Sequence, residues 1–217
     1  MLYKCSCASN VCSWKMQDYI TDERDNNRYP VVTIGGKTWM ADDLRYSTKY
    51  GRYRYYWSDA IDSIAAFSSS ANKAGYGNVT KTTKPTRGIC PQGWHIPSTS
   101  DWRQLLDSTA AIFGFNPIMG SSERDLATVK ALRDCGYSKT NTESCNTLGL
   151  SLDRNSYWTS SRYNESQIQA GCAPNSDLNQ SDCEKRYAEV VTVSTKKVET
   201  MEHKNKNDKL FVRCVKD

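Results

Sequence analysis

The stretch Gly88 to Trp102, GICPQGWHIPSTSDW, holds a cysteine, two tryptophans, two prolines and one of the chain's two histidines, and it constrains the fold more than any other. Its second half reads as a helix start. Pro97 sets up Ser98, whose hydroxyl can cap the first turn, and Asp101 three residues on completes a capping-box-like pair with its charge at the positive helix end. Trp102, Leu105 and Leu106 then fall on one face. The first half is the alternative, a catalytic loop built on Cys90 and His95. A Cys-His nucleophile needs a thiolate in an electropositive site, and neither His203 nor an Asp/Glu cluster supplies a further partner, so His95 is expected to pack under the helix.

Elements fall on both sides of this anchor. The charged run Asp22 to Arg28 reads as a turn. In YPVVTIGGKTWMADDL the alternation on either side of Gly35-Gly36 predicts a hairpin with a two-residue turn. The aromatic, basic run YGRYRYYW (Tyr50 to Trp57) leads into Asp59 to Phe67, where Ile61, Ile64 and Ala65 have helical spacing. Most of Tyr50, Tyr53, Tyr55, Tyr56 and Trp57 are expected in packing rather than stacked on a ligand. Residues 68 to 87 read as a surface loop. A second helix is predicted over Ser122 to Arg133 with Leu126, Val129 and Leu132 as its stripe. From Leu148 the chain reads as strands and long loops, with alternation at Tyr187 to Val193 and in KLFVRCV. Two β-rich ends around helices predict an α+β domain whose terminal strands pair.

A length of 217 residues fits one domain. The net charge of +5 comes from 29 basic and 24 acidic residues spread along the chain, which argues against nucleic acid as a partner. No window approaches the roughly 18 apolar residues of a membrane span. Nine cysteines without Cys-x-x-Cys or zinc spacing point to an oxidising compartment. The start, MLYKCSCASNVCSWK, lacks the apolar core of a signal peptide, so the expectation is an exported protein whose leader is absent from this chain.

Taken in order, VTIGGKTWMADDLRY, GICPQGWHIPSTSDWRQL, SYWTSSRY and LFVRCVKD resemble the major paralogous domain first noted in Fibrobacter succinogenes, a bacterial extracellular module. The resemblance runs from about Thr21 to Asp217 and leaves residues 1 to 20 as a separate Cys-rich segment. It implies a C-type-lectin-like α+β fold, with paired terminal strands, two helices and long disulfide-stapled loops. It also implies a bridge from Cys90 to Cys214. Cys135 with Cys145 and Cys172 with Cys183 are near enough in sequence to staple single loops. Among Cys5, Cys7 and Cys12 one thiol is left over, free or available for an intermolecular bridge.

The same broad fold hosts formylglycine-generating oxidases, but no motif here places a reactive cysteine pair, and no enzyme activity or cofactor is expected. Calcium-dependent sugar binding is not expected either. Ala173-Pro174-Asn175-Ser176-Asp177 lacks the acidic first position of the lectin loop, and Ca²⁺ needs about six to eight oxygens. No metal is assigned. Thr159 to Asn207, rich in Ser, Asn, Tyr, Glu and Lys, has the composition of an adaptable binding surface. By the resemblance, Tyr163, Asn164, Glu165, Tyr187, Glu189, Lys196, His203 and Asn205 are the ligand residues. The expected function is a non-catalytic module, extracellular or on the bacterial cell surface, whose partner is a polysaccharide. The alternative is a protein-binding display or structural surface protein, even a diversified variable one.

Overall fold

The computed structural model describes residues 3–8, 11–16, 18–46, 53–61, 86–115, 122–132, 148–152, 155–162, 187–194 and 196–217. Over these the chain is α+β. Ten strands, β1 (Tyr3–Ala8), β2 (Val11–Met16), β3 (Tyr19–Thr21), β4 (Arg28–Ile34), β5 (Lys37–Met40), β6 (Trp94–His95), β7 (Ser156–Arg162), β8 (Tyr187–Val193), β9 (Val198–Asn205) and β10 (Val215–Lys216), accompany three helices, α1 (Trp57–Ile61), α2 (Thr99–Ile112) and α3 (Ser122–Leu132). β1 and β2 form a hairpin of their own. A five-stranded sheet runs β3-β4-β5-β10-β6, and a three-stranded sheet runs β7-β8-β9.

The β4–β5 hairpin follows from its turn. Gly35 and Gly36 both have positive φ, +60° and +78°, the conformation a two-residue hairpin turn demands. Gly35 has a second reason to be glycine, since a Cβ there would lie 2.1 Å from Ser108 Oγ on α2. α2 starts as its sequence requires: Ser98 caps it, and the capping box with Asp101 is complete. α3 departs from its expected stripe. Val129 and Leu132 are buried, together with Thr128 and Ala131, but Leu126 is 40% exposed. α1 begins earlier than its periodicity suggests, and residues 62–85, which hold the rest of that predicted helix and the surface loop, lie outside the described residues. In the aromatic run Tyr55 and Trp57 are buried, Tyr56 is half-buried and Tyr53 is 47% exposed.

A single wall of extended backbone separates two cores. Along β5, β7, β8 and residues 210–215, adjacent residues point to opposite sides. Met40, Trp158, Ala188, Val190, Leu210, Val212 and Cys214 enter the core closed by α1 and the Ile89-to-Ile96 lead-in. Trp39, Tyr157, Val191, Val193, Phe211 and Val215 enter the core under α2 and α3, where Trp39 and Trp102 pack in a tilted pair with ring centroids 5.0 Å apart.

The segment KLFVRCV was expected as a regular strand, and it is instead a strap. Its backbone alternates between partners on different elements: Leu210 exchanges hydrogen bonds with Tyr55, while Phe211 O accepts from Trp158 N, Val212 O from Leu44 N and Cys214 O from Met40 N. Only Val215 and Lys216 join a ladder, between β5 and β6. Two side chains lock the strap. Cys214 is disulfide-bonded to Cys90, as the resemblance implied, across 124 residues. Arg213, buried between the cores, donates to the carbonyls of Met40 (3.2 Å), Leu150 (3.0 Å) and Ser151 (3.1 Å) and to Asp43 Oδ1 (2.5 Å).

Candidate ligand-binding face

β8 and β9 form an antiparallel ladder in which Tyr187 pairs with Asn205 and Glu189 with His203. Residues two apart on a strand share a face, so the structure brings four of the expected ligand residues together as two neighbouring cross-strand pairs. Lys196 sits apart from them, exposed at the turn that joins the strands. That turn is shaped by Ser194, whose Oγ accepts from Lys196 N (3.2 Å) and Lys197 N (3.0 Å) and donates to Lys197 O (2.8 Å). Tyr163, Asn164 and Glu165 lie outside the described residues, as do Cys135, Cys145, Cys172, Cys183 and the Pro174-Asn175 loop.

The four grouped residues are not equally open. Glu189 is buried, and its carboxylate accepts the hydroxyl hydrogen of Thr99, the first residue of α2. Burial raises its pKa, against the pull of the Thr99 bond and of Arg103. His203, half-buried, is pushed the other way, and burial lowers its pKa. Both shifts favour the neutral form. A cross-strand Glu and His that were solvated and paired would show the opposite directions, so desolvation dominates this face. Tyr187 is half-buried, and Asn205 spends its Oδ1 on Asn207 N at 2.9 Å.

Three residues that sequence reasoning did not single out hold Glu189. Thr159 donates its hydroxyl to Glu189 O (2.9 Å), and Ser161 Oγ accepts from Thr99 N (2.9 Å), which stitches β7 and β8 to the start of α2. The signal was the run of hydroxyl residues Thr159-Ser160-Ser161 on β7, beside β8.

His95 is buried at the other edge of α2. Its Nδ1 lies 2.6 Å from Asp217 Oδ1 and its Nε2 3.7 Å from Asp101 Oδ2. Burial opposes its protonation, but these two carboxylates outweigh that and raise its pKa. Asp101 is held well below the usual carboxylate range: burial works against ionisation, and His95, Lys37 and Ser98 overcome it. Cys90 is engaged with Cys214 and offers no thiolate beside this histidine. Among the described residues no three His, Cys, Asp or Glu come together as a metal-holding group, and no helix is long and apolar enough to cross a membrane.

Residues 32–216 match the sequence profile described as the Fibrobacter succinogenes major domain. No curated protein and no solved structure matches the chain.

Proposed function

The chain belongs to the Fibrobacter succinogenes major domain family, and on that premise we propose that it is a non-catalytic ligand-binding module, extracellular or on the cell surface, that recognises carbohydrate through the strand and loop surface of residues 159–207. The observation that carries the reading is the pair of cross-strand contacts Tyr187–Asn205 and Glu189–His203. They put an aromatic ring, an amide and an imidazole on one ladder, with Glu189 buried behind them against Thr99. Hydrogen-bonding groups beside an aromatic suit a polyhydroxylated partner, and a ladder fixed by buried strands loses little entropy on binding. We also read the α+β architecture as C-type-lectin-like, supported by the pairing of β10 with β5 and by helices flanking a disulfide-tied strap. A protein partner is the second reading. The charged residues Glu199, Glu202 and Lys204 along β9, which lies at the edge of its sheet, favour it.

A pull-down of the oxidised protein on soluble and insoluble polysaccharides, with calcium and with chelator, tests the first reading. Retention on one glycan class in both conditions, reduced by Tyr187→Ala, is the expected outcome. Absence of retention on every glycan moves the assignment to a protein partner.

A further inference from the structure

A cavity outside the β8–β9 pairs collects three stripes of side chains. α2 supplies Arg103, Leu106 and Asp107, at helical spacing i, i+3 and i+4; α3 supplies Arg124, Asp125 and Thr128; Val198 and Thr200 come from one side of β9. Its volume is about 180 Å³. Elsewhere beneath these helices the packing is apolar, through Trp102, Leu105, Leu132, Val191 and Val193. Toward the surface, where α2, α3 and β9 meet, two guanidinium groups and two carboxylates line the cavity, Arg103 and Asp107 exposed and Arg124 and Asp125 half-buried.

Their formal charges cancel. Arg124 Nη2 donates to Asp107 Oδ1 at 2.8 Å across the gap between α2 and α3, so an ionic ligand entering the cavity competes with a pair already made. A neutral hydroxylated molecule does not. A guanidinium carries five N–H donors and a carboxylate about four acceptor positions, so the two groups can bond hydroxyls without separating. Arg103 and Asp125 add a donor and an acceptor, and the half-buried Leu106 and Val198 offer apolar surface to a C–H face. Pockets for drug-sized molecules enclose roughly 300 to 1,000 Å³. This one has room for a single ring rather than for a length of polymer.

We propose that the cavity between α2, α3 and β9 is a sugar subsite that takes one neutral monosaccharide unit, such as a glycan chain end, through Arg103, Asp107, Arg124 and Asp125. The proposal rests on the carbohydrate reading and adds to it a place where a terminal unit is recognised.

Saturation-transfer NMR on the oxidised full chain tests it, with glucose, galactose, mannose, xylose and N-acetylglucosamine as probes and glucuronate as the charged counter-probe. At least one neutral sugar is expected to give a signal. Its affinity should fall roughly tenfold in Arg103→Ala and Asp125→Ala, the loss of one hydrogen bond to a charged group, and vanish in the cavity-filling Leu106→Phe, while Tyr187→Ala leaves it unchanged. Arg103 and Asp125 lie outside the packed core, so those two variants carry the test should Leu106→Phe misfold. A signal that survives in both and disappears in Tyr187→Ala overturns the cavity and keeps the carbohydrate reading, as does polysaccharide retention with no monosaccharide signal at all. Stronger binding of glucuronate than of any neutral sugar overturns the neutral-ligand assignment. Silence in both NMR and pull-down overturns subsite and reading together.

Discussion

Arg213 shows how much one side chain can hold. It is fully buried, satisfies three carbonyls from two distant stretches of chain and meets its counter-charge in Asp43. Arg213→Met keeps volume but leaves those carbonyls and Asp43 without their donor, and unfolding in urea is expected to show a loss of about 3 to 5 kcal/mol, the range for breaking a buried pair from one side. His95 ties β6, α2 and the residue after β10 through charge instead. Its raised pKa contributes stability that is fully present below the unfolded value of about 6.5 and is lost as pH rises through the folded value. Asp101, depressed, contributes stability present above about 3.9 and lost as pH falls through its folded value. His203, whose pKa burial lowers, works the other way between pH 6 and pH 8, so the His95 contribution is read as a difference: the melting temperature of His95→Gln should fall less, or rise more, across that window than that of the parent chain, and an unchanged slope would remove His95 from the linkage.

At the scale of elements the β4–β5 hairpin gives the sharpest contrast. Gly36→Ala meets only the cost of a left-handed conformation, about 1 kcal/mol, because nothing lies within 4 Å of its Cβ. Gly35→Ala meets the same cost and also drives a methyl into Ser108, so it should destabilise by clearly more in the same denaturation experiment. This hairpin and α2 were legible in the sequence because local chemistry determines them: a glycine pair for one, a capping box for the other. The strap was not. KLFVRCV alternates like a strand since it faces two cores, but its hydrogen-bond partners come from four separate places, which no periodicity encodes. The β1–β2 hairpin was missed because its segment is polar and carries no clear apolar alternation. The candidate face was half legible. Alternation grouped Tyr187 with Glu189, but only packing decides that α2 covers Glu189, and the cavity draws its lining from three elements distant in sequence.

The whole molecule is held by the closure between Cys90 and Cys214. A loop of this length carries about 5 kcal/mol of denatured-state restriction in loop-entropy models. Replacing both cysteines by Ser should therefore lower the melting temperature by roughly 10 to 20 °C, at about 2 to 4 °C per kcal/mol for a chain of this size, and calorimetry under oxidising conditions checks it. An unchanged melting curve would mean that the strap is held by Arg213 and backbone bonds alone.

The strap also couples the two cores. Residues 210–215 supply side chains to both cores, and Arg213 bonds backbone 173 residues upstream. Until residues 210–215 dock against β5 and β7, the wall lacks its last segment and neither core is closed. Docking of this segment completes both cores together, so the two are expected to form, and to melt, in a single step.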